Sequence, residues 1–117
     1  MKLGDLEIYR LSLELCDRAW KIYHALPQEF RFSLGDQLLR SADSVGANIA
    51  EGYGRFHYRD SIKFYYNARG SLWEVKHWML LAYRREFIGQ DHFDRVIEDL
   101  DELGRKINGF IQYIKNK

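Results

Sequence analysis

The sequence predicts an all-α protein, an antiparallel up-down-up-down four-helix bundle, and three observations predict it. Apolar residues recur at spacings of three and four along four separate stretches. A single proline in 117 residues leaves room for long uninterrupted helices. No stretch alternates apolar and polar residues as a strand would. Helices are expected at about 6–26, 33–54, 58–85 and 91–114 within one domain, 1–117. Short connections set each helix beside its sequence neighbour and in the opposite direction.

In the first helix Tyr9, Leu13, Cys16, Trp20 and Tyr23 stand at heptad spacing, and Leu15, Ala19, Ile22 and Leu26 widen the stripe. Pro27 ends it. The connection carries Phe30 and Phe32, expected to cap the core. Ser33 followed by Asp36 has the form of a capping box, which starts the second helix there.

The second helix organises the chain. Leu38, Ala42, Val45, Ile49, Gly52 and Phe56 follow spacings of four, three, four, three and four, a bundle seam. Ser41, Ser44, Gly46, Ala47 and Ala50 lie between them. Interior glycines cost about 1 kcal/mol each relative to alanine, so a neighbouring backbone is expected close by. A second face, Gln37, Arg40, Ser44, Asn48, Glu51 and Arg55, is polar throughout. Asn48 and Glu51, partly buried between helices, need hydrogen-bond partners such as Arg40, Arg55 or Arg69.

The third helix turns Ile62, Tyr65, Leu72, Val75, Met79 and Ala82 inward, with Gly70 and Ser71 as another point of close approach. Gly89 breaks the chain. Phe93, Val96, Leu100, Leu103, Ile107, Phe110 and Ile114 then form the cleanest heptad, in a helix whose acids come early and bases late, as the macrodipole prefers.

Composition narrows the function. No apolar run approaches the roughly 20 residues that span a bilayer, and the first residues lack the apolar core of a signal peptide, so no membrane partner and a cytoplasmic location are expected. Cys16 alone makes no internal disulfide and reads as a buried small hydrophobe. Eighteen aromatic residues exceed what one small core hides, which points to a homo-oligomer.

Net charge is only +1, yet the topology separates it. The chain ends and the second inter-helix loop share one pole, where Lys2, Arg10, Arg55, Arg59, Lys63, Arg105, Lys106, Lys115 and Lys117 face Asp5, Glu7, Glu51 and Asp60, a balance of +5. The remainder is −4. Tyr53, Phe56 and Tyr58 interleave with Arg55, His57 and Arg59 there. Cations that neutralise phosphates beside rings that stack on bases are the general recipe for single-stranded nucleic acid. The nucleic-acid-binding candidates are therefore Arg55, Arg59, Lys63 and Lys106 as phosphate contacts and Tyr53, Phe56 and Tyr58 as stacking residues.

Catalytic and metal readings fare worse. Glu74 and His77 form one E-x-x-H pair, whereas a carboxylate-bridged two-metal bundle needs two such pairs and two more inward glutamates. His24, His57 and His92 fall near helix ends. No nucleophile, base and oxyanion set can be assembled, and neither catalytic residue, metal nor cofactor is expected.

QLLRSADSVGANIAEGYGR at 37–55, followed by ARGSLWEV at 68–75, resembles the 23S ribosomal RNA intervening-sequence proteins. The matching pattern is Gln37, Arg40, Ser44, Asn48, Ile49, Ala50, Glu51 and Gly52, then Gly70, Ser71 and Glu74, and the resemblance covers essentially the whole chain. It implies an antiparallel four-helix bundle assembled into a ring, a homopentamer, with the motif residues in structural or oligomeric roles. A more distant resemblance reaches the accessory proteins of diversity-generating retroelements, pentameric bundles that bind a reverse transcriptase and nucleic acid. The resemblance supplies no catalytic residues. The sequence thus reads as a non-enzymatic oligomeric bundle touching RNA or single-stranded DNA, with a protein-interaction scaffold or accessory subunit as the alternative.

Overall fold

The computed structural model describes residues 2–55 and 58–117, and of Tyr58 the backbone alone. Among the described residues there are four long helices: α1 (Glu7–Ala25), α2 (Asp36–Tyr53), α3 (Tyr58–Arg84) and α4 (Gln90–Lys115). A 3-10 turn, Leu3–Asp5, precedes them, and among the described residues there is no strand.

Side chains set which helices meet. Tight approach of α1 to α2 follows from small residues on both: a Cβ on Gly46 would lie 2.9 Å from the Ser12 hydroxyl, and Ala19 and Ala42 are fully buried. Ser12 satisfies its own hydroxyl by donating to the Tyr9 carbonyl at 2.6 Å, so that hydroxyl is paired where it is buried. Between α2 and α3, Gly52 lies against the Tyr65 ring and Ser44 Oγ is 2.9 Å from Ser71 Oγ. Lys76 joins Asp101 at 2.6 Å and Arg69 donates to Asn108 at 2.8 Å between α3 and α4. Of the helix pairs that pack side by side, α1 and α4 touch least, leaving a groove of about 330 Å³ beside Leu11, Leu15, Val96 and Leu100 that Arg18 bridges to Asp99 at 2.6 Å.

The interior is formed by Leu38, Val45 and Ile49 of α2, Leu72, Val75 and Met79 of α3 and Val96, Leu100 and Ile107 of α4, as their spacings predict. Ile111 is buried as well. On α1 the expected heptad is not the buried side. Ile8, Ser12, Leu15, Ala19 and Ile22 face the core, Leu13 and Trp20 face outward at 45% and 57% exposure, and Tyr9, Cys16 and Tyr23 are half-buried. Ser12 and Ala19 stand inward where α2 approaches closely, a space that Trp20 would not fit.

The α1–α2 connection also differs from expectation. Ser33 caps nothing: its hydroxyl donates to the Phe30 carbonyl at 3.3 Å. A helical turn, Gln28–Phe30, passes into a π-helical stretch, Arg31–Gly35, and directly into α2, with no free helix end at Ser33 to cap. Arg31 folds back to donate to the carbonyls of Leu26 and His24, satisfying the end of α1. Phe30 packs on Phe87 with centroids 4.8 Å apart, whereas Phe32 is 78% exposed and caps no core.

The turn out of α3 centres on Glu86, not Gly89. Glu86 has φ 66°, and the Phe87 N–H donates to the Ala82 carbonyl at 2.9 Å, a left-handed helix stop held by a residue with a side chain. Gly89 instead opens α4, where its carbonyl accepts from Phe93 N–H.

Candidate nucleic-acid interface

One end of the molecule gathers Leu6, the α2–α3 junction and the C-terminal turn around a cleft of about 380 Å³. Tyr53, Arg55, Tyr65, Phe110, Tyr113 and Lys117 are among its lining residues. Tyr65 is its buried wall, 2% exposed and edge-on to Phe110 with centroids 5.0 Å apart. Burial, then the neighbouring Tyr53, pushes the Tyr65 phenol up to about 12, so it stays protonated and neutral beside the cleft.

Of the residues chosen from sequence, Arg55, Arg59 and Lys63 are exposed, Tyr53 is half-buried, and Lys106 is half-buried on α4. Arg55 pairs with Glu51 at 3.0 Å and lies 4.6 Å from the centre of the Phe64 ring. Lys63 approaches the same ring at 5.2 Å. Lys106 is held by Glu7 at 3.0 Å and Glu102 at 3.5 Å, and the Glu7 hydrogen bond raises its affinity for its proton. Phe56 lies outside the described residues, as does the side chain of Tyr58.

The sequence reading missed the rings that hold these cations. Arg69 and Lys115 lie over Tyr66 at 4.7 and 5.3 Å, and Lys117 over Tyr113 at 4.8 Å. Five cations thus share three rings, Phe64, Tyr66 and Tyr113, each contact within the roughly 6 Å over which a ring face attracts a positive charge. For one pair a signal existed: Tyr66 and Arg69 are three apart, a spacing that meets on a helix.

The motif residues divide by role. Asn48 donates to the Ser44 carbonyl at 2.8 Å and to its hydroxyl at 3.1 Å, and Ser44 reaches Ser71, so three of them tie α2 to α3. None of the arginines expected as partners is needed for Asn48, and Glu51, exposed, takes Arg55. Gln37, Arg40 and Glu74 are exposed. Gly52 is a close-approach point, but Gly70 is not one within the chain: a Cβ there would meet nothing within 4 Å. Glu74 and His77 are both exposed, the His77 ring resting edge-on against Trp78. Among the described residues no three His, Cys, Asp or Glu side chains come together as metal ligands would.

Cys16 is half-buried, its thiol donating to the Ala42 carbonyl at 3.5 Å. Burial, and then a hydrogen bond and charge from Asp43, push it up to about 12. It remains a thiol at neutral pH.

The family model described as 23S rRNA-intervening sequence protein matches residues 4–109. The chain belongs to the 23S rRNA-intervening sequence protein family. A crystal structure at 1.70 Å from Bacteroides thetaiotaomicron VPI-5482, described as a protein with unknown function from the S23 ribosomal protein family, superposes on this family member with a TM-score of 0.82. Identity is 28%, over 89% of this chain and 97% of that one. No curated protein matches. Among the described residues no helix is long and apolar enough to cross a membrane.

Proposed function

We propose that this family member is a non-enzymatic cytoplasmic oligomer, a pentameric ring of antiparallel up-down-up-down bundles whose basic, aromatic end contacts RNA or single-stranded DNA. The antiparallel order is supported by paired contacts that run in opposite senses: Lys106 with Glu7 but Asp99 with Arg18, and Asn108 with Arg69 but Asp101 with Lys76. The observation that carries the nucleic-acid reading is the row of five cations over three rings beside the terminal cleft. A phosphate can recruit such cations, and Tyr113, 56% exposed, presents a ring to a base. Repetition around a ring would turn a weak contact into a useful one.

The non-enzymatic reading draws support from how the polar motif is used. Asn48, Ser44 and Ser71 spend hydrogen bonds on one another, and the one thiol is held in its unreactive form.

Fluorescence polarisation of a labelled single-stranded oligonucleotide at low and high salt tests the proposal. Binding at low salt, lost steeply as salt rises and abolished by Arg55→Glu with Arg59→Glu, is the expected result. No binding at low salt, or binding indifferent to that double variant, overturns it. The scaffold reading is favoured by a different observation, the exposed Trp20 and Trp73, at 57% and 64%. A protein retained on the purified chain after nuclease treatment, with no oligonucleotide binding, would select that reading.

A further inference from the structure

The clefts of the molecule differ in what they would accept. The α1–α4 groove carries Glu14, Asp99 and Glu102 with Arg18. A hollow of about 670 Å³ between α1 and the start of α4 sets Glu14 and Asp17 beside Arg18, Lys21 and His92. The terminal cleft is lined by Arg55 and Lys117 and, among the described residues, by no carboxylate. It also carries four rings: Tyr53, Tyr65, Phe110 and Tyr113. Three acids that neighbour its lining residues in sequence are engaged, Glu51 by Arg55, Glu7 by Lys106 and Asp5 by the Lys2 N–H, each at 3.0 Å. Asp60, exposed in the first turn of α3, lines no part of it.

This cleft has a fixed inner wall and an open mouth. Tyr65 is buried, meets Phe110 edge-on, and has Gly52 of α2 against its ring. Phe110 in turn meets Tyr113, with centroids 6.0 Å apart and ring planes 34° from each other. Tyr113 is exposed, and Lys117 lies over its ring at 4.8 Å, a contact that is weak at an exposed site. A volume of about 380 Å³ lies at the small end of ligand-sized clefts, with room for one flat group and none for a paired stack. A duplex shows a protein only the edges of its bases, because their faces are stacked, whereas an unpaired base can offer a face to a ring. Neutral rings suit that face, and the cations suit the phosphates that come with it.

We infer that the terminal cleft takes in a single unpaired base, seated on Tyr113 with Phe110 and Tyr65 behind it, while the adjoining phosphates engage Arg55 and Lys117. The ligand is therefore a single strand. A duplex is disfavoured because a base would first have to leave both its pair and its stack. Drawing Lys117 to a phosphate frees the ring face it covers, so the charge contact opens the stacking contact. This rests on the nucleic-acid reading given above and adds to it the place of the base.

Photo-crosslinking and fluorescence polarisation of the full chain test it. A short single strand carrying iodouracil, irradiated in the complex, is expected to attach to Tyr113 or Tyr53, identified by mass spectrometry of the peptides. Tyr113→Ala is expected to weaken strand binding about 5- to 150-fold, the worth of one base–aromatic stack, with the slope against salt unchanged. Tyr113→Phe keeps the ring and is expected to restore most of that loss. Lys117→Ala should instead lower the slope by about one phosphate contact. Tyr113 is exposed, so its variants should fold, and helical circular dichroism checks that they do. At the highest salt that still permits strand binding, a duplex of the same sequence should compete more poorly than the strand. No strand binding at low salt overturns the nucleic-acid reading and the cleft with it. Strand binding left intact by Tyr113→Ala, attachment only to rings outside the cleft, or a duplex that competes as well as the strand overturns the cleft alone. A slope that falls in Tyr113→Ala as far as in Lys117→Ala reduces the ring to a rest for the lysine, and also overturns the seat for a base.

Discussion

Gly52→Ala probes how closely α2 and α3 approach where the fold meets the candidate interface. An added Cβ would lie 2.9 Å from Cε1 and Cζ of Tyr65 and 3.2 Å from the Ser61 carbonyl oxygen. Optimal carbon–carbon contact is about 3.5–4.0 Å, so something must move by roughly 0.6 Å. The Tyr65 ring cannot swing aside, being 2% exposed and set edge-on against Phe110, and the Ser61 oxygen is backbone. Forcing a methyl into such a site costs about 1–3 kcal/mol. Alanine recovers at most about 1 kcal/mol of helix preference, and less here, one residue from the end of α2. A net loss of about 1–2 kcal/mol is expected, seen as a fall of about 4–10 °C in melting temperature for a domain of this size. Circular dichroism melts at one fixed protein concentration measure it, because the midpoint of any chain that assembles depends on concentration. An unchanged or raised midpoint would refute the close approach, and with it the explanation of why a glycine stands in the family motif at this position.

Three further outcomes follow from single contacts. Glu86 holds φ 66° at the end of α3, where glycine is unstrained, so Glu86→Gly should stabilise by about 1 kcal/mol in urea unfolding. Ser44→Ala removes both the partner of Ser71 and an acceptor of Asn48, and should cost about 1 kcal/mol in the same assay. Cys16 and Tyr65 both bind their protons more tightly folded than unfolded, each held near 12 against reference values of 9.0 and 10.0. Their contribution is complete below pH 9 and is lost as pH rises toward 12, because the unfolded chain releases those protons first. Stability should therefore decline through that alkaline window, Cys16→Ala should shallow the decline, and native Cys16 should resist alkylation at pH 8 until denaturant is added.

How much of this was legible in the sequence depended on whether one chain contained the answer. Three-and-four spacing located α2, α3 and α4 to within a few residues because each has one dominant apolar stripe, and the bundle buries that stripe. α1 has two. Spacing alone ranks Leu13 and Trp20 with Leu15 and Ala19; only the nearness of α2, seen through Gly46 and Ser12, decides that the stripe holding Ser12 and Ala19 turns inward. The π-helical entry to α2 was invisible for a related reason: Ser33 and Asp36 match a capping pattern, but a cap needs a helix end and the chain never leaves helical form there. At the basic end the sequence named Arg55, Arg59, Lys63 and Lys106 from the charges that the helix order gathers there. The rings that hold Arg55 and Lys63, and Arg69, Lys115 and Lys117 beside them, required knowing which turns of α3 and α4 come together.

Those contacts also rank the cations. Arg55 shares an exposed pair with Glu51, an interaction generally worth about 0–1 kcal/mol, so turning to a phosphate costs it little while Phe64 keeps it in place. Lys63 rests on the same ring and can turn outward as readily. Lys106 is differently placed: it is held between Glu7 and Glu102, and withdrawing it would leave two carboxylates facing any incoming phosphate. The proposed interface should therefore run from Arg55 and Arg59 along α3 toward Lys63, with Lys106 serving to join α4 to the start of α1. Replacing Arg55 or Lys63 by alanine should then lower the slope of binding against salt by about one phosphate contact each. Lys106→Ala should leave that slope unchanged and lower the melting temperature. A salt slope that falls with Lys106→Ala and not with Lys63→Ala would move the interface off α3 and onto the face of α4.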